Sequence, residues 1–205
     1  MTKVLVIDSA ATGAESVSRK LVDSLVDSLA AHGERIEIVR RDIGTKPMPH
    51  LTPDTVPAIR TGEAATEAGR AALALSDQLV EELRSAELVV IGAPMYNFGM
   101  PSTLKAWFDH VLRARVTFRY TEAGPEGLMS GKKAIVVESR AGLYSEGPAA
   151  SMDSQEPHIR TLLGFMGIDD VTFVRAEKLA FGPEAAEAAI GDALGQIEQE
   201  LALAA

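Results

Sequence analysis

Short runs of apolar residues, rich in Val and Ile, recur along this chain and restrict it to few folds. Such a run is typical of a strand in a parallel sheet that is buried on both faces. A strand with one solvent-exposed face instead alternates apolar and polar residues. The runs lie at residues 4–7, 36–39, 88–91, 134–137 and 171–174, with the weakest pattern at 36–39. They predict five strands.

Between these runs, apolar residues recur at spacings of three and four, the period of an amphipathic helix. Helices are predicted around residues 21–29, 75–83, 101–112, 154–166 and 184–203, with Pro101 in the first turn of the third, where proline is tolerated. Alternating strands and helices predict the α/β class, a three-layer sandwich of right-handed βαβ units in one domain.

Two segments, 41–63 and 113–131, are longer than the connections of a minimal unit require. The first is broken by four prolines, and the second contains the sequence Gly-Pro-Glu-Gly. Connections of this length usually carry function or contact a partner. We therefore expect both segments to contribute to a site or to an interface.

Composition excludes several kinds of function. The 20 Lys and Arg against 29 Asp and Glu leave a net charge of −9, which disfavours nucleic acid as a partner. The absence of cysteine excludes a catalytic thiol, thiolate zinc and iron–sulfur clusters, so redox chemistry needs a bound cofactor. No metal site is predicted, because ligand spacing is missing from the four histidines, His32, His50, His110 and His158.

The chain begins without a signal-peptide pattern, and none of its apolar runs approaches the length of a membrane span. We therefore expect a cytoplasmic protein that does not associate with membranes.

In an open parallel sheet, ligands bind beyond the carboxyl ends of the strands, which directs attention to three loops. The first, residues 8–18, has neither the glycine pattern of dinucleotide-binding folds nor that of Walker NTPases. It places the hydroxyls of Ser9, Ser16 and Ser18 before a helix whose free N–H groups attract a phosphate monoester. A simple N-cap at Ser16 or Ser18 explains the same residues equally well.

The second loop, residues 93–102, is dense in large apolar side chains, and Tyr96 and Phe98 would offer flat surface to a planar ligand. For any one aromatic, burial over the neighbouring helix is the alternative. The third loop, residues 139–144, combines a hydroxyl, the cation Arg140 and a glycine. Taken alone, it also fits an ordinary turn with a solvated arginine.

With the three loops in view, the chain resembles the FMN-dependent NADH:azoreductases, a flavodoxin-like family of quinone and azo-compound reductases. The resemblance is carried by residues 93–98 (APMYNF), 101–109 (PSTLKAWFD), 116–122 (VTFRYTE), 124–127 (GPEG) and 131–134 (GKKA). It implies a flavodoxin-like three-layer sandwich with a five-stranded parallel sheet in the order 2-1-3-4-5 and helices on both faces. It also implies a single FMN-binding domain over residues 1–205.

The resemblance also implies which residues bind FMN. The phosphate is expected on the first loop and the isoalloxazine ring against the second and third loops. The residues are Ser9, Ser16, Val17 and Ser18 for the phosphate, then Pro94, Met95, Tyr96, Asn97, Phe98, Ser139, Arg140, Ala141 and Gly142. The chain departs from the family pattern at Ala10, where a second hydroxyl is frequent, and at Ala141, where glycine is usual. A Cβ at Ala141 matters if that position needs a positive φ or approaches the ring closely.

The implied substrate pocket includes Phe98, Arg119, Tyr120 and Tyr144, although Arg119 and Tyr120 equally fit strand residues of a hairpin. The implied activity is ping-pong transfer of a hydride from NADH or NADPH, through FMN, to a quinone or an azo compound. Since the cofactor carries the chemistry, no general base is expected. Backbone N–H groups of Asn97, Phe98 and residues 140–142 are expected to stabilise negative charge on the ring.

The family further implies a homodimer with its active site at the interface. The apolar surface of the predicted helix at 104–112 fits such a contact, and core burial within one chain is the alternative. A flavodoxin-type carrier of single electrons, which binds FMN without nicotinamide turnover, stays open as a second function. A phosphoacceptor receiver domain is set aside, because residues 91–94 offer no aspartate at the end of the third strand.

Overall fold

A computed structural model describes residues 1–31 and 35–204 of the chain, with side chains through residue 202. In this part of the chain, strands alternate with helices as the pattern predicts. The strands are β1 (Thr2–Asp8), β2 (Ile36–Asp42), β3 (Leu88–Pro94), β4 (Phe118–Thr121), β5 (Gly124–Gly127), β6 (Lys133–Ser139) and β7 (Asp170–Ala176). The α-helices are α1 (Val17–Ala31), α2 (Val56–Thr61), α3 (Glu67–Ser85), α4 (Ser102–Val111), α5 (Glu156–Phe165) and α6 (Pro183–Ala204).

The main sheet has five strands in the order β2-β1-β3-β6-β7, and every neighbouring pair is parallel. This is the predicted order 2-1-3-4-5, with β4 and β5 inserted as a separate antiparallel hairpin. Asp8 of β1 lies beside Gly92 of β3, and Pro94 of β3 lies beside Ser139 of β6. The register therefore brings the three predicted ligand loops to one edge of the sheet.

Helices cover both faces of this sheet, because successive strand residues point to opposite sides. Leu5 and Ile7 belong to a core with helices α3, α4 and α5. Val4 and Val6 belong to a second core with helices α1 and α6. The predicted three-layer α/β sandwich is thus confirmed.

Helix α4 buries its large apolar side chains within this one chain. Leu104, Trp107, Phe108 and Val111 each have an exposed fraction of 0%. The structure therefore favours core burial, and the apolar surface of this helix does not support an intersubunit contact. Pro101 lies one position earlier than expected, at the N-cap with φ −54° and ψ 141°, because its extended conformation precedes the first helical residue.

The two long segments contain regular structure: a helix that the pattern did not predict and a hairpin that was one alternative for Arg119 and Tyr120. Residues 41–63 include the short helix α2, with a proline in its first turn. Residues 113–131 contain the β4–β5 hairpin, in which Arg119 pairs with Glu126 and Tyr120 with Pro125. The hairpin alternative for Arg119 and Tyr120 is confirmed. Across residues 1–31 and 35–204, the structure contains no helix long and apolar enough to cross a membrane.

Candidate functional site

The three loops that follow β1, β3 and β6 contact one another at the carboxyl edge of the sheet. The N–H of Ala11 donates to the Tyr96 hydroxyl over 3.1 Å, which joins the first loop to the second. The N–H of Met95 donates to the carbonyl oxygen of Ser139 over 2.9 Å, which joins the second to the third. These contacts bring the predicted cofactor residues of all three loops into one place.

The first turn of α1 concentrates hydrogen-bond donors. Ser16 and Ser18 are buried, and their Oγ atoms lie 2.9 Å apart. Within the described chain, the N–H groups of Val17, Ser18 and Arg19 meet no acceptor, as is usual where a helix begins. Free N–H groups and hydroxyls beside the positive end of a helix suit an anion such as a phosphate monoester.

Ser9 differs from these two serines. Its side chain is fully buried and its hydroxyl donates to the carbonyl oxygen of Gly92 over 2.6 Å. The hydroxyl proton of Ser9 is therefore engaged in a hydrogen bond within the sheet, because β1 and β3 run side by side at this point. What Ser9 still offers a ligand at this edge is the remaining lone-pair capacity of its oxygen.

Gly44 supports the first loop and was missed by the sequence analysis. A Cβ atom at this position would lie 2.1 Å from the carbonyl oxygen of Ala10, closer than any real contact. The backbones of the first loop and of the segment after β2 can approach this closely because Gly44 has no side chain. The available signal was a glycine near the start of the long segment 41–63, two residues after the observed end of β2. Ala10, where the family often has a hydroxyl, is itself buried.

The second loop makes a two-residue turn at Asn97 and Phe98, with φ values of 48° and 71°. Tyr96 and Gly99 exchange backbone hydrogen bonds of 3.0 and 3.1 Å around it. Positive φ values at both central residues are those of a type I′ turn, and they are strained for a bulky residue such as phenylalanine. Strain of this kind concentrates at ligand sites.

This turn exposes aromatic surface and backbone N–H groups that a planar ligand would contact. Tyr96 and Phe98 keep exposed fractions of 38% and 41%, so burial over the neighbouring helix is not their role. The N–H groups of Asn97 and Phe98 have no acceptor in the part of the chain that the structure describes. The loop therefore offers aromatic surface and free donors together.

The third loop has fewer free backbone donors than the sequence analysis expected. The backbone N–H of Arg140 donates to the carbonyl oxygen of Ala176 over 2.9 Å, because β6 and β7 are still paired here. The expected N–H donation by residue 140 is therefore wrong, and the N–H groups of Ala141 and Gly142 are the ones without an acceptor among the described residues. Ala141 is not among the residues with positive φ, so its Cβ adds no backbone strain.

The Arg140 side chain is buried, with an exposed fraction of 0%, and is not the solvated arginine of an ordinary turn. Its guanidinium contacts carboxylates of Glu138, Asp153 and Glu177 at 2.5, 3.1 and 3.2 Å. Burial in this group of acids raises the pKa of Glu138 from 4.5 to about 8, although Arg140 acts in the opposite direction. Burial also acts to raise the pKa of Glu177, but hydrogen bonds from Ser145, Tyr144 and Arg140 outweigh it and lower that pKa.

The four predicted substrate residues fall into two groups. Phe98 and Tyr144 lie in contact, with ring centroids 6.0 Å apart. On the hairpin, Arg119 makes two hydrogen bonds of 2.8 Å to Glu126, and the exposed Tyr120 packs against Phe118. Tyr120 lines a cavity of about 410 Å³ together with side chains of α2 and the end of α4. The structure therefore brings Phe98 and Tyr144 together and leaves Arg119 and Tyr120 on a separate element.

Among the residues that the structure describes, the histidines do not form a cluster. His110 is buried against Pro49, with 3.0 Å between its Nε2 and the carbonyl oxygen, whereas His50 and His158 are exposed. His32 lies outside the described residues. In the ranges 1–31 and 35–204, no group of three or more His, Cys, Asp or Glu side chains is arranged to hold a metal ion.

Comparison with known proteins matches almost the whole chain. A family model described as flavodoxin-like fold matches residues 2–201. The chain is 55% identical over 197 residues to the FMN-dependent NADH:quinone oxidoreductase of Hyphomonas neptunium, covering 96% of this chain and 94% of that protein. The protein of the same name from Azotobacter vinelandii is 50% identical over 183 residues, 89% of this chain and 90% of its own.

Among solved structures, the azoreductase from Bacillus anthracis superposes with a TM-score of 0.88 at 30% identity, covering 97% of this chain and 98% of that one. The span of the family match includes the loops after β1, β3 and β6. The similarity thus covers the sheet and the candidate site together.

Proposed function

This chain belongs to the flavodoxin-like family of FMN-dependent NADH:quinone oxidoreductases, and we propose that it binds FMN and reduces quinones with NADH. The proposal rests on one observation above all: the donor-rich start of α1 and the strained Asn97–Phe98 turn lie at the same edge of the sheet. One part suits a phosphate and the other suits a planar ring. Two relatives named for that activity match 96% and 89% of the chain.

The residues present fit FMN. We assign the phosphate to Ser16, Val17 and Ser18: the N–H groups of Val17 and Ser18 meet no acceptor among the described residues, and the hydroxyls of Ser16 and Ser18 lie 2.9 Å apart beside them. We assign the ring to the second and third loops, where the N–H groups of Asn97, Phe98, Ala141 and Gly142 are free in the described chain. Bound FMN would supply the hydride chemistry, for which the side chains of this chain offer no equivalent.

The groups of this site position the flavin and select the acceptor. Donors fixed in the backbone stabilise negative charge on a bound ring without reorganising, which makes them effective in a dry site. Phe98 and Tyr144 form the wall of a flat apolar slot beside the ring position. We assign no general base, because none of the reacting groups needs one from the protein.

One slot that serves both NADH and the acceptor implies that they bind in turn. We therefore propose ping-pong kinetics with two-electron transfer. A flat slot does not distinguish a quinone from an aromatic azo compound by shape, so azo compounds are proposed as further acceptors. NADPH is proposed as a weaker reductant than NADH, because the net charge of −9 disfavours an extra phosphate.

A homodimer with the site at its interface is part of the proposal. Tyr96 and Phe98 stand exposed beside the slot and offer apolar surface to a second chain. Sedimentation of the FMN-loaded protein at several concentrations measures its oligomeric state directly. A monomer at all concentrations would exclude the homodimer. The cytoplasmic location stays a prediction, tested by fractionation of the source cells.

The deciding experiment is the visible absorption spectrum of the FMN-loaded protein, mixed with NADH in the absence of oxygen. Bleaching of the flavin band, followed by its return on adding quinone, is expected. Bound flavin that NADH leaves oxidised would instead favour the single-electron carrier. Failure to bind FMN at all would remove both functions.

A further inference from the structure

Arg140 lies in the third loop of the candidate site, yet its side chain is completely buried. A buried guanidinium is costly unless carboxylates and hydrogen bonds compensate its charge. Its carboxylate partners come from separate parts of the chain: Glu138 from β6, Asp153 from the segment before α5, and Glu177 from the residue after β7. The guanidinium thus connects segments that meet only in the folded chain.

Through Gln155, Arg140 reaches the second loop. Nε of Arg140 donates to Oε1 of Gln155 over 3.2 Å, and Nε2 of Gln155 donates to the carbonyl oxygen of Ala93 over 2.8 Å. The adjacent Ser154 donates its N–H to the carbonyl oxygen of Phe98 over 2.9 Å. The segment at 153–155 therefore holds this loop at its start, Ala93, and at the turn itself, Phe98.

Through Glu177, Arg140 reaches the wall of the slot. Nη1 of Arg140 lies 3.2 Å from Oε1 of Glu177. The same oxygen accepts the N–H groups of Tyr144 and Ser145 over 2.8 and 3.0 Å. Glu177 thereby fixes the backbone from which the Tyr144 ring extends to meet Phe98.

We propose that Arg140 is a positioning residue, whose buried guanidinium holds the loops at 93–99, 139–145 and 153–156 in the arrangement that FMN and the quinone require. It acts through Gln155 and Glu177 and not by touching the ligand. This inference rests on the proposed function, because it concerns the same site. It assigns to the side chain a role different from the cofactor contact that the family resemblance implies.

Lysine cannot fill this role, because three donors on one nitrogen cannot replace a planar fork that reaches Gln155, Glu138 and Glu177 in different directions. Arg140→Lys keeps the charge that the surrounding acids need, so the protein is expected to fold. Gln155→Met removes the connection to Ala93 and leaves every charge in place. Arg41→Lys is the matched control, since Arg41 is a partly exposed arginine that makes two hydrogen bonds to Glu82 of α3, and neither residue belongs to the three loops.

The experiment measures the Kd for FMN and for riboflavin, and the quinone KM and kcat at saturating FMN. In Arg140→Lys and Gln155→Met, affinity for both flavins is expected to fall by about tenfold, because the ring loops and not the phosphate loop are displaced. Quinone KM is expected to rise by more than kcat falls. Arg41→Lys is expected to stay within about twofold of the wild type.

Three results would overturn the proposal. If FMN affinity fell while riboflavin affinity did not, Arg140 would act on the phosphate. Circular dichroism would first confirm that Gln155→Met is folded. If this variant then kept wild-type flavin affinity and quinone KM, the connection through Gln155 would not contribute to flavin or quinone binding. If quinone KM stayed unchanged in both variants, the network would be structural only. All three results require a wild-type protein that binds FMN and reduces quinone. A wild type that does neither would contradict the proposed function itself, and this failure is measured before any variant is compared.

Discussion

The ring of Tyr144 meets the ring of Phe98 edge-on, with 6.0 Å between their centroids and 82° between their planes. The two residues follow different strands, β6 and β3, which are neighbours in the sheet. Their contact is therefore set by strand order and by the hydrogen bonds that hold each loop. An edge-to-face pair of this kind contributes about 0.5–1.5 kcal/mol beyond its buried area and makes a rigid wall.

Phe98→Leu should change acceptor preference more than it changes turnover, because it removes a flat surface from the slot while the backbone donors stay. The ratio of kcat/KM values for a small and a large quinone is expected to shift by about tenfold, with FMN still bound. Phe181→Leu makes the same change at an exposed residue outside the three loops and should leave the ratio unaltered. Complete loss of turnover in Phe98→Leu with flavin bound would contradict the assigned role.

Ser18→Ala should weaken FMN binding by about tenfold to a hundredfold, because a charge-assisted hydrogen bond to a phosphate contributes about 1.5–3 kcal/mol. Riboflavin, which has no phosphate, should bind the variant and the wild type equally well. Fluorescence titration with both flavins measures the difference. Ser24→Ala lies on the same helix, where the Ser24 hydroxyl donates to the carbonyl oxygen of Lys20, and should change neither affinity. Equal loss for both flavins would place the phosphate elsewhere.

Two substitutions at Asn97 separate backbone strain from the side chain. Asn97→Gly and Asn97→Val both remove the amide, but valine tolerates a φ of 48° poorly and glycine adopts it freely. The valine variant is expected to lose about 1–2 kcal/mol of stability relative to the glycine variant and to bind FMN more weakly. Thermal unfolding and flavin titration measure both effects. If the two variants behaved alike, the left-handed turn would not be needed for binding.

Glu138 should make stability depend on pH. In the folded chain its pKa is raised from 4.5 to about 8, so the folded state keeps a proton that the unfolded chain releases. Stability from this group is therefore complete below pH 4.5 and is lost as pH rises through about 8, at up to about 1.4 kcal/mol per pH unit.

Urea unfolding of the wild type and of Glu138→Gln between about pH 6 and about pH 9 measures this dependence. The variant is expected to lose less stability than the wild type over the range. Glu81→Gln, at an exposed glutamate paired with Arg84, is the control and should follow the wild type. Parallel curves for Glu138→Gln and the wild type would show that Glu138 is ionised throughout.

The sequence determined the sheet and its long helices, because these depend on local periodicity. Each predicted run lies inside a strand of the main sheet, and the order of strands agrees with the one that the family resemblance implies. Knowing where strands end was enough to locate the three predicted ligand loops, since parallel strands end at one edge. Helix α2 was not predicted, and the β4–β5 hairpin was predicted only as an alternative for Arg119 and Tyr120, because elements this short depend on contacts more than on pattern.

Only the tertiary structure decided how the site residues are used. The partners of Arg140 include Gln155 and Glu177, and the acceptor of its N–H is Ala176, all remote along the chain. No local pattern distinguishes an arginine that reaches solvent from one buried among Glu138, Asp153 and Glu177. The same limit applies to α4, whose apolar period is identical for a core helix and an interface helix. Side-chain direction and hydrogen-bond partners follow from packing between distant segments, and periodicity contains no information about them.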